Sequence, residues 1–262
     1  MGSGPAVLLI HGLNGFKEGW GPLPGALARA GRRVVAVDLP GFGASPPLRG
    51  RSIGPESLAA AVAPLVAELA PVSLVGHSLG TQVAMLLALQ QPDRVPTMAL
   101  ISPWVVPRAP RFPPRGLTDL LLLPGVGRVL ARLAIRRIRR NPERRRAAFL
   151  SQVADVAGID GHPELANLLE VAADRLLSAD LRTMADWAAR GVADDIRPLA
   201  PRLAAATLVV VGSADQLTPA ADAEWLTSAL PHGGLMRVTG AGHFPHLERP
   251  DAVLPALTAA LA

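Results

Sequence analysis

The chain has 262 residues, 26 Lys and Arg against 21 Asp and Glu, 50% hydrophobic residues and no cysteine. A chain of this length buries about 70 to 75% of its unfolded surface, so one large core with an insertion is expected. The absence of cysteine excludes disulfides, thiolate metal sites and a cysteine nucleophile, leaving an oxygen or Lys17, the one lysine.

The formal charge of +5 is local: nine arginines fall between Arg128 and Arg146 against one acid, Glu143, and the rest of the chain is mildly acidic. Such a patch does not imply nucleic acid, and none is expected as a partner. The opening Met1-Gly2-Ser3-Gly4-Pro5 lacks a basic leader region and the apolar run behind it is too short for a signal peptide. No apolar run has the length of a membrane span, so a cytoplasmic protein without a transmembrane segment is expected.

Ala6 to Ile10 is continuously apolar, as expected of a strand buried on both faces of a parallel sheet, and it runs into His11-Gly12-Leu13-Asn14-Gly15. Trp20 to Ala30 has helical spacing in Leu23 and Leu27, with Gly31 as its C-terminal cap. A second strand, Arg33 to Val37, ends in Asp38-Leu39-Pro40-Gly41-Phe42-Gly43, and Pro55 to Leu69 reads as a helix that Pro64 should kink. Val72 to Val75 is strand again, followed by Gly76-His77-Ser78-Leu79-Gly80 and a helix from Thr81 to Gln91; Met98 to Ile101 is the fourth strand.

From Pro103 the character changes. Five prolines lead into a block, Leu117 to about Arg190, that reads as helix throughout. Alternation resumes with the strand Thr207 to Val211, the helix Ala220 to Leu230, the strand Leu235 to Val238 and a closing helix after Pro250. The fold class is therefore α/β: a mainly parallel sheet of about six strands with helices on both faces, formed by residues 1–102 and 191–262, and interrupted by a helical cap of about four helices at 103–190.

The Gly-x-Ser-x-Gly between a strand and a helix places Ser78 on a sharp turn, where Gly76 and Gly80 leave room for a close strand and helix approach. Its backbone is expected to be strained. A serine hydroxyl is a poor nucleophile without a base, and the base needs an orienter. In open parallel sheets sites gather at the carboxyl ends of the strands. There lie Asp215, in Gly212-Ser213-Ala214-Asp215, and His243, in Gly240-Ala241-Gly242-His243, giving the chain order Ser, Asp, His. His246 is the strongest rival to His243. His11 and His77 read as loop-shaping, Asp38 as a turn residue bonding its own backbone, Asp194 and Asp195 as a solvated connection, and His162 and His232 as loop residues. The N–H groups of Leu79 and Leu13, with Asn14 as the alternative to Leu13, are suited to an oxyanion site.

Taken together, His11-Gly12, the Asp38 to Gly43 turn, Gly76 to Gly80, Gly212 to Asp215 and Gly242-His243 resemble the α/β-hydrolase fold superfamily over Ala6 to Ser102 and about Val192 to Ala262. The resemblance implies Ser78 as nucleophile, His243 as base, Asp215 as its orienter, Leu79 and Leu13 as oxyanion donors, and no cofactor or metal. Serine at the turn argues against the dehalogenase and epoxide hydrolase branches. The superfamily usually opens with two more strands; without them Arg33 to Val37 becomes a sheet edge, so either the protein starts further upstream or something covers that edge.

The cap is expected to roof the site and choose the substrate, with Leu120 to Leu123, Leu168, Leu169, Leu176, Leu177, Met184 and Trp187 as lining or as helix-packing core. On its basic helix Val126, Val129, Leu130, Leu133 and Ala134 share one face and Arg128, Arg132, Arg136 and Arg139 another, with Arg137 breaking the pattern. The arginines, with Arg140, form a solvated face or dock an acidic carrier protein, as in superfamily members acting on carrier-linked esters; an anionic membrane is a third reading. The expected function is hydrolysis of a small-molecule carboxylic ester or related acyl bond. Carbon-carbon bond hydrolysis, perhydrolysis, carrier-linked thioester hydrolysis and non-catalytic ligand binding are the alternatives.

Overall fold

The computed structural model describes residues 1–48, 53–106, 140–157 and 195–262, together with 129, 133, 136–138 and 171. Six strands, β1 (Ala6–Ile10), β2 (Arg33–Val37), β3 (Val72–His77), β4 (Thr97–Ile101), β5 (Ala206–Gly212) and β6 (Gly233–Val238), form one sheet in the order β2-β1-β3-β4-β5-β6. Every pairing is parallel. All residues of β1 and β3 are buried, which is why both are apolar without alternation.

The two faces of each strand feed two separate cores. Leu8, Ile10, Leu74, Met98, Leu100, Val209 and Val211 pack with α2 (Pro55–Leu69) and α3 (Leu79–Gln90). Val7, Leu9, Val75, Ala99, Ile101 and Val210 pack instead with Trp20, with Leu23 and Leu27 of α1 (Leu23–Arg29), and with Val253 and Leu257 of α7 (Pro250–Ala260). The period of two along a strand thus sorts alternate side chains into two helical layers. The crossovers leave β1 toward β2 and β3 toward β4, so the sheet's topological switch lies between β1 and β3, the place where sites of such sheets form at the carboxyl ends.

Between β4 and β5 the described part of the inserted block contains α4 (Pro142–Leu150), capped by the Asn141 side chain, which accepts the Arg144 N–H at 3.0 Å. Phe149 is buried against the first core. The expected lining from Leu120 to Trp187 lies outside the described residues, as do Arg128, Arg132 and Arg139. Downstream of β5 lie α5 (Ala220–Ala229) and α6 (Pro245–Glu248).

Several expected boundaries shift. The helix expected from Trp20 starts at Leu23, after a turn in which Leu23 N–H meets Trp20 O. It closes at Gly31 (φ +79°), with Gly31 N–H on Ala28 O and Arg32 N–H on Leu27 O, a Schellman pair that glycine's left-handed backbone permits. The helix expected from Thr81 begins at Leu79, directly after the serine, and α2 continues through Pro64.

Strand β2 is the sheet edge, as its place in the order requires. On its outer side Val34 N–H donates to Met1 O at 2.7 Å, and the Met1 amine donates to Val34 O at 3.0 Å. The chain's own first residue therefore satisfies one residue pair of this edge.

Candidate active site

The turn after β3 is built by steric exclusion. Ser78 sits at φ 52°, ψ −118°, a strained conformation for a residue with a side chain. A Cβ at Gly76 would lie 2.5 Å from Gly80 O, and one at Gly80 would run into Ile10 O, so neither position admits a side chain. The turn is pinned from both sides. Ser78 N–H donates to Ile101 O at 2.9 Å, and the Thr81 N–H and hydroxyl both donate to Ser78 O, at 3.0 and 2.5 Å. Leu79 opens α3, so its N–H belongs to the first-turn donors that have no partner within the helix.

The β1 end arrives beside it. A Cβ at Gly12 would stand 2.9 Å from Ser78 Cβ, so only glycine lets this loop pass the serine. Gly15 N–H donates to Gly12 O at 3.0 Å, which places Leu13 and Asn14 at the tip of a turn, Asn14 at φ 61°. His11 shapes this loop. Its Nε2 accepts Leu39 N–H at 3.0 Å, which makes Nδ1 the protonated nitrogen, and Nδ1–H donates to Gly12 O at 2.8 Å. Burial lowers its pKa to about 4 against the opposing pull of the Gly12 carbonyl and Asp38, so the ring is neutral at pH 7.

His243 and Asp215 meet across the ends of β5 and β6. His243 Nδ1 stands 2.9 Å from Asp215 Oδ2, and both side chains are almost wholly buried. Asp215 Oδ1 accepts the N–H groups of Leu217 and Thr218 at 2.8 and 3.0 Å, and Oδ2 accepts the Thr218 hydroxyl at 2.6 Å. Burial pushes this carboxyl upward, but His243 and the Thr218 donors outweigh it and bring the pKa down to about 2. Asp215 is thus anionic at neutral pH, and His243 presents Nδ1–H to it with Nε2 left as the acceptor.

The Ser78 turn and the His243 loop touch through His77, whose Nε2–H donates to His243 O at 2.9 Å and whose ring lies 4.9 Å from that of His243. Burial, followed by the charges of His243 and His246, holds His77 well below its ordinary pKa. His246, the rival base, is also buried; burial and the His243 charge lower its pKa to about 3, and its Nδ1 has no hydrogen-bond partner. The carboxylate therefore goes to His243, not His246. Asp38 accepts Ala44 N–H of its own turn at 3.0 Å but also Lys17 N–H at 2.7 Å, so it ties that turn to the loop after β1 and does more than bond its own backbone; Asp195 is ion-paired with Arg197 at the surface.

Thr218, absent from the expected site, was signalled only by the Asp-x-x-Thr spacing of a local side-chain-to-backbone turn. Gln152 and Glu248 were not signalled at all: Gln152 O accepts His243 N–H at 2.9 Å, and Glu248 accepts the N–H groups on either side of it. Among the described residues no group of three or more His, Asp or Glu is arranged to hold a metal ion. No described helix is long and apolar enough to cross a membrane.

Residues 7–256 match the model of the alpha/beta hydrolase family, whose architecture the six-stranded parallel sheet fits: the chain belongs to that family and is a hydrolase. Among its relatives, a pimeloyl-[acyl-carrier protein] methyl ester esterase of Aromatoleum aromaticum is 30% identical over 94% of each chain. An sn-1-specific diacylglycerol lipase of Mus musculus is 29% identical over 98% of this chain and 81% of that protein. The structure of a thermophilic esterase from Thermogutta terrifontis superposes with a TM-score of 0.76 at 25% identity, over 99% of this chain and 90% of that one.

Proposed function

We propose that this hydrolase cleaves a carboxylic ester through an acyl-enzyme on Ser78. Ser78 Oγ attacks the ester carbonyl carbon while His243 Nε2 takes the hydroxyl proton, and the carbonyl oxygen becomes an anion received by the N–H groups of Leu79 and Leu13. His243 then protonates the departing alcohol. In the second half a water, deprotonated by the same imidazole, attacks the acyl carbon and releases the acid and free Ser78. Asp215 holds the imidazole in the tautomer that leaves Nε2 free and stabilises the cation formed in passing. The observation that carries this reading is the buried 2.9 Å Asp215–His243 pair, in a loop whose His243 O accepts from His77, the residue before a serine at φ 52°. The inserted residues 103–190 are assigned as the cap over this site.

A fluorophosphonate probe and a series of p-nitrophenyl esters of increasing acyl length test it. Labelling confined to Ser78 and blocked turnover are expected; ester hydrolysis that persists in enzyme whose Ser78 is fully labelled, or label on another residue, overturns it. The chain-length optimum reports the depth of the acyl pocket.

A carrier-linked ester is a second reading, favoured by the Aromatoleum aromaticum relative and by the basic helix. Arg136, Arg137 and Arg140 are exposed there, and so are Val129 and Leu133, four residues apart and each more than half exposed. Apolar residues left in solvent beside arginines suit an acidic protein partner with an apolar rim. Charge reversal of Arg136 and Arg140 is expected to raise KM for a carrier-bound ester several-fold and leave a small soluble ester unaffected; equal rates on both remove this reading.

A further inference from the structure

The polypeptide around His243 is held by an acid outside the Ser78–Asp215–His243 set. Glu248 is 1% exposed, and a buried carboxylate persists only where donors replace its water. Its Oε2 accepts three backbone N–H groups, from Gly242, Ala154 and Asp155, each at 2.9 Å, and its Oε1 accepts Phe244 N–H at 3.1 Å. Two of these donors flank His243; the other two belong to the inserted block, just after α4. His243's own N–H donates to Gln152 O at 2.9 Å, in that same inserted segment. Three consecutive amides, 242 to 244, are therefore held either by Glu248 or by Gln152, two residues before the amides of 154 and 155 that Glu248 binds. The approach is close: a Cβ at Gly242 would lie 2.7 Å from Ala154 N and 2.8 Å from Gln152 O. An Arg249–Asp155 ion pair closes the junction at its rim.

We propose that Glu248 is a positioning residue that ties the seating of segment 152–155 to the placement of His243, an inference that rests on His243 being the base. One buried carboxylate spans both segments, so neither moves without breaking bonds of the other. Glutamine cannot replace it, because one of its two terminal atoms is an NH2 that faces a donor with another donor.

Glu248→Gln in the full chain, assayed on p-nitrophenyl acetate, is expected to lower kcat at least tenfold with KM within about twofold, and to slow fluorophosphonate labelling of Ser78 in parallel. Hydrogen exchange is expected to rise at least tenfold in the peptides covering 152–155 and 242–244 together, leaving β3 and α3 unchanged. A folded Glu248→Gln enzyme with kcat within threefold of wild type, or faster exchange in one of the two peptides alone, overturns the proposal. If Glu248→Gln does not accumulate as folded protein, Glu248→Asp, which keeps the charge and withdraws it by one methylene, is read by the same criteria. Ser78→Ala and His243→Ala controls keep the two ideas apart: if they retain full turnover the catalytic reading fails, while the paired exchange still decides whether Glu248 couples the two segments.

Discussion

The two sides of this candidate active site are held by different kinds of force. On the serine side, position follows from contiguous residues: Gly76, Ser78 and Gly80 lie within five positions, and the bend between β3 and α3 exists because Cβ atoms are missing where backbones touch. On the histidine side nothing local suffices. His243 is placed by Asp215, 28 residues earlier, by Gln152 O, 91 residues earlier, and by the His77 ring from another strand. A site can thus have one half written in a pentapeptide and the other assembled from four separate elements, and the second half is the more exposed to remote substitution.

The strongest way to break this comparison is at the serine. Ser78→Ala is expected to reduce ester turnover by about 10⁴-fold or more with the fold intact. Ser78→Gly should abolish turnover equally and yet raise the urea midpoint by the equivalent of about 1 kcal/mol, because glycine relieves the strained backbone. A Ser78→Gly protein less stable than wild type would show that the turn stores no strain. Next in size, Gly80→Ala drives a methyl group into the Ile10 carbonyl and is expected to cost about 2 to 4 kcal/mol of stability by denaturant unfolding. Unchanged stability would mean that strand and helix can separate at no cost.

Acid sharpens the contrast on the histidine-lined side. His11, His77 and His246 are buried and neutral, with pKa values below their unfolded 6.5, so below that pH the unfolded chain binds protons that the folded one refuses. Their stabilising contribution is complete above pH 6.5 and is lost as pH falls toward the folded values, about 4 for His11 and about 3 for His246. Stability should drop by about 1.4 kcal/mol per pH unit for each histidine over that window, and His11→Gln should remove one proton's worth of slope in urea titrations at pH 7, 6 and 5. Asp215, lowered to about 2, adds its own loss only below about pH 4. The smallest expected effect is at Thr218. Thr218→Val removes the 2.6 Å hydroxyl donor and keeps both N–H donors to Asp215, so kcat should fall by about two- to tenfold, equivalent to about 0.5 to 1.5 kcal/mol. A larger loss would make Thr218 a second orienter of His243 in its own right.

Much of the sheet is legible in the sequence. Strands buried on both faces are unbroken apolar runs, so β1, β3, β4 and β5 stand where hydropathy places them to within a residue or two, and Gly31 and Pro55 mark helix ends by backbone geometry alone. Strand β6 was read two residues short, because Gly233 and Gly234 carry no side-chain signal and take their strand pairing from Thr207 and Leu208. The choice of His243 over His246 was a matter of motif in the sequence; in the structure it rests on which ring reaches Asp215. Thr218 left a faint local trace in its spacing from Asp215. Glu248 left none, because the amides it binds are defined by the path of the backbone and not by side-chain type.

By itself the sequence determined the alternation of strand and helix and the parallel sheet, and marked Ser78, Asp215 and His243 as candidates, because burial period, glycine geometry and strand-end position are properties of neighbouring residues. Tertiary structure alone decided which imidazole meets the carboxylate, that Met1 covers Val34 at the β2 edge, and that segment 152–155 and Glu248 brace the His243 loop. Those are hydrogen bonds between main-chain groups or buried side chains far apart in the chain, and every residue carries the same N–H and C=O whatever its side chain, so only the folded path specifies which of them meet.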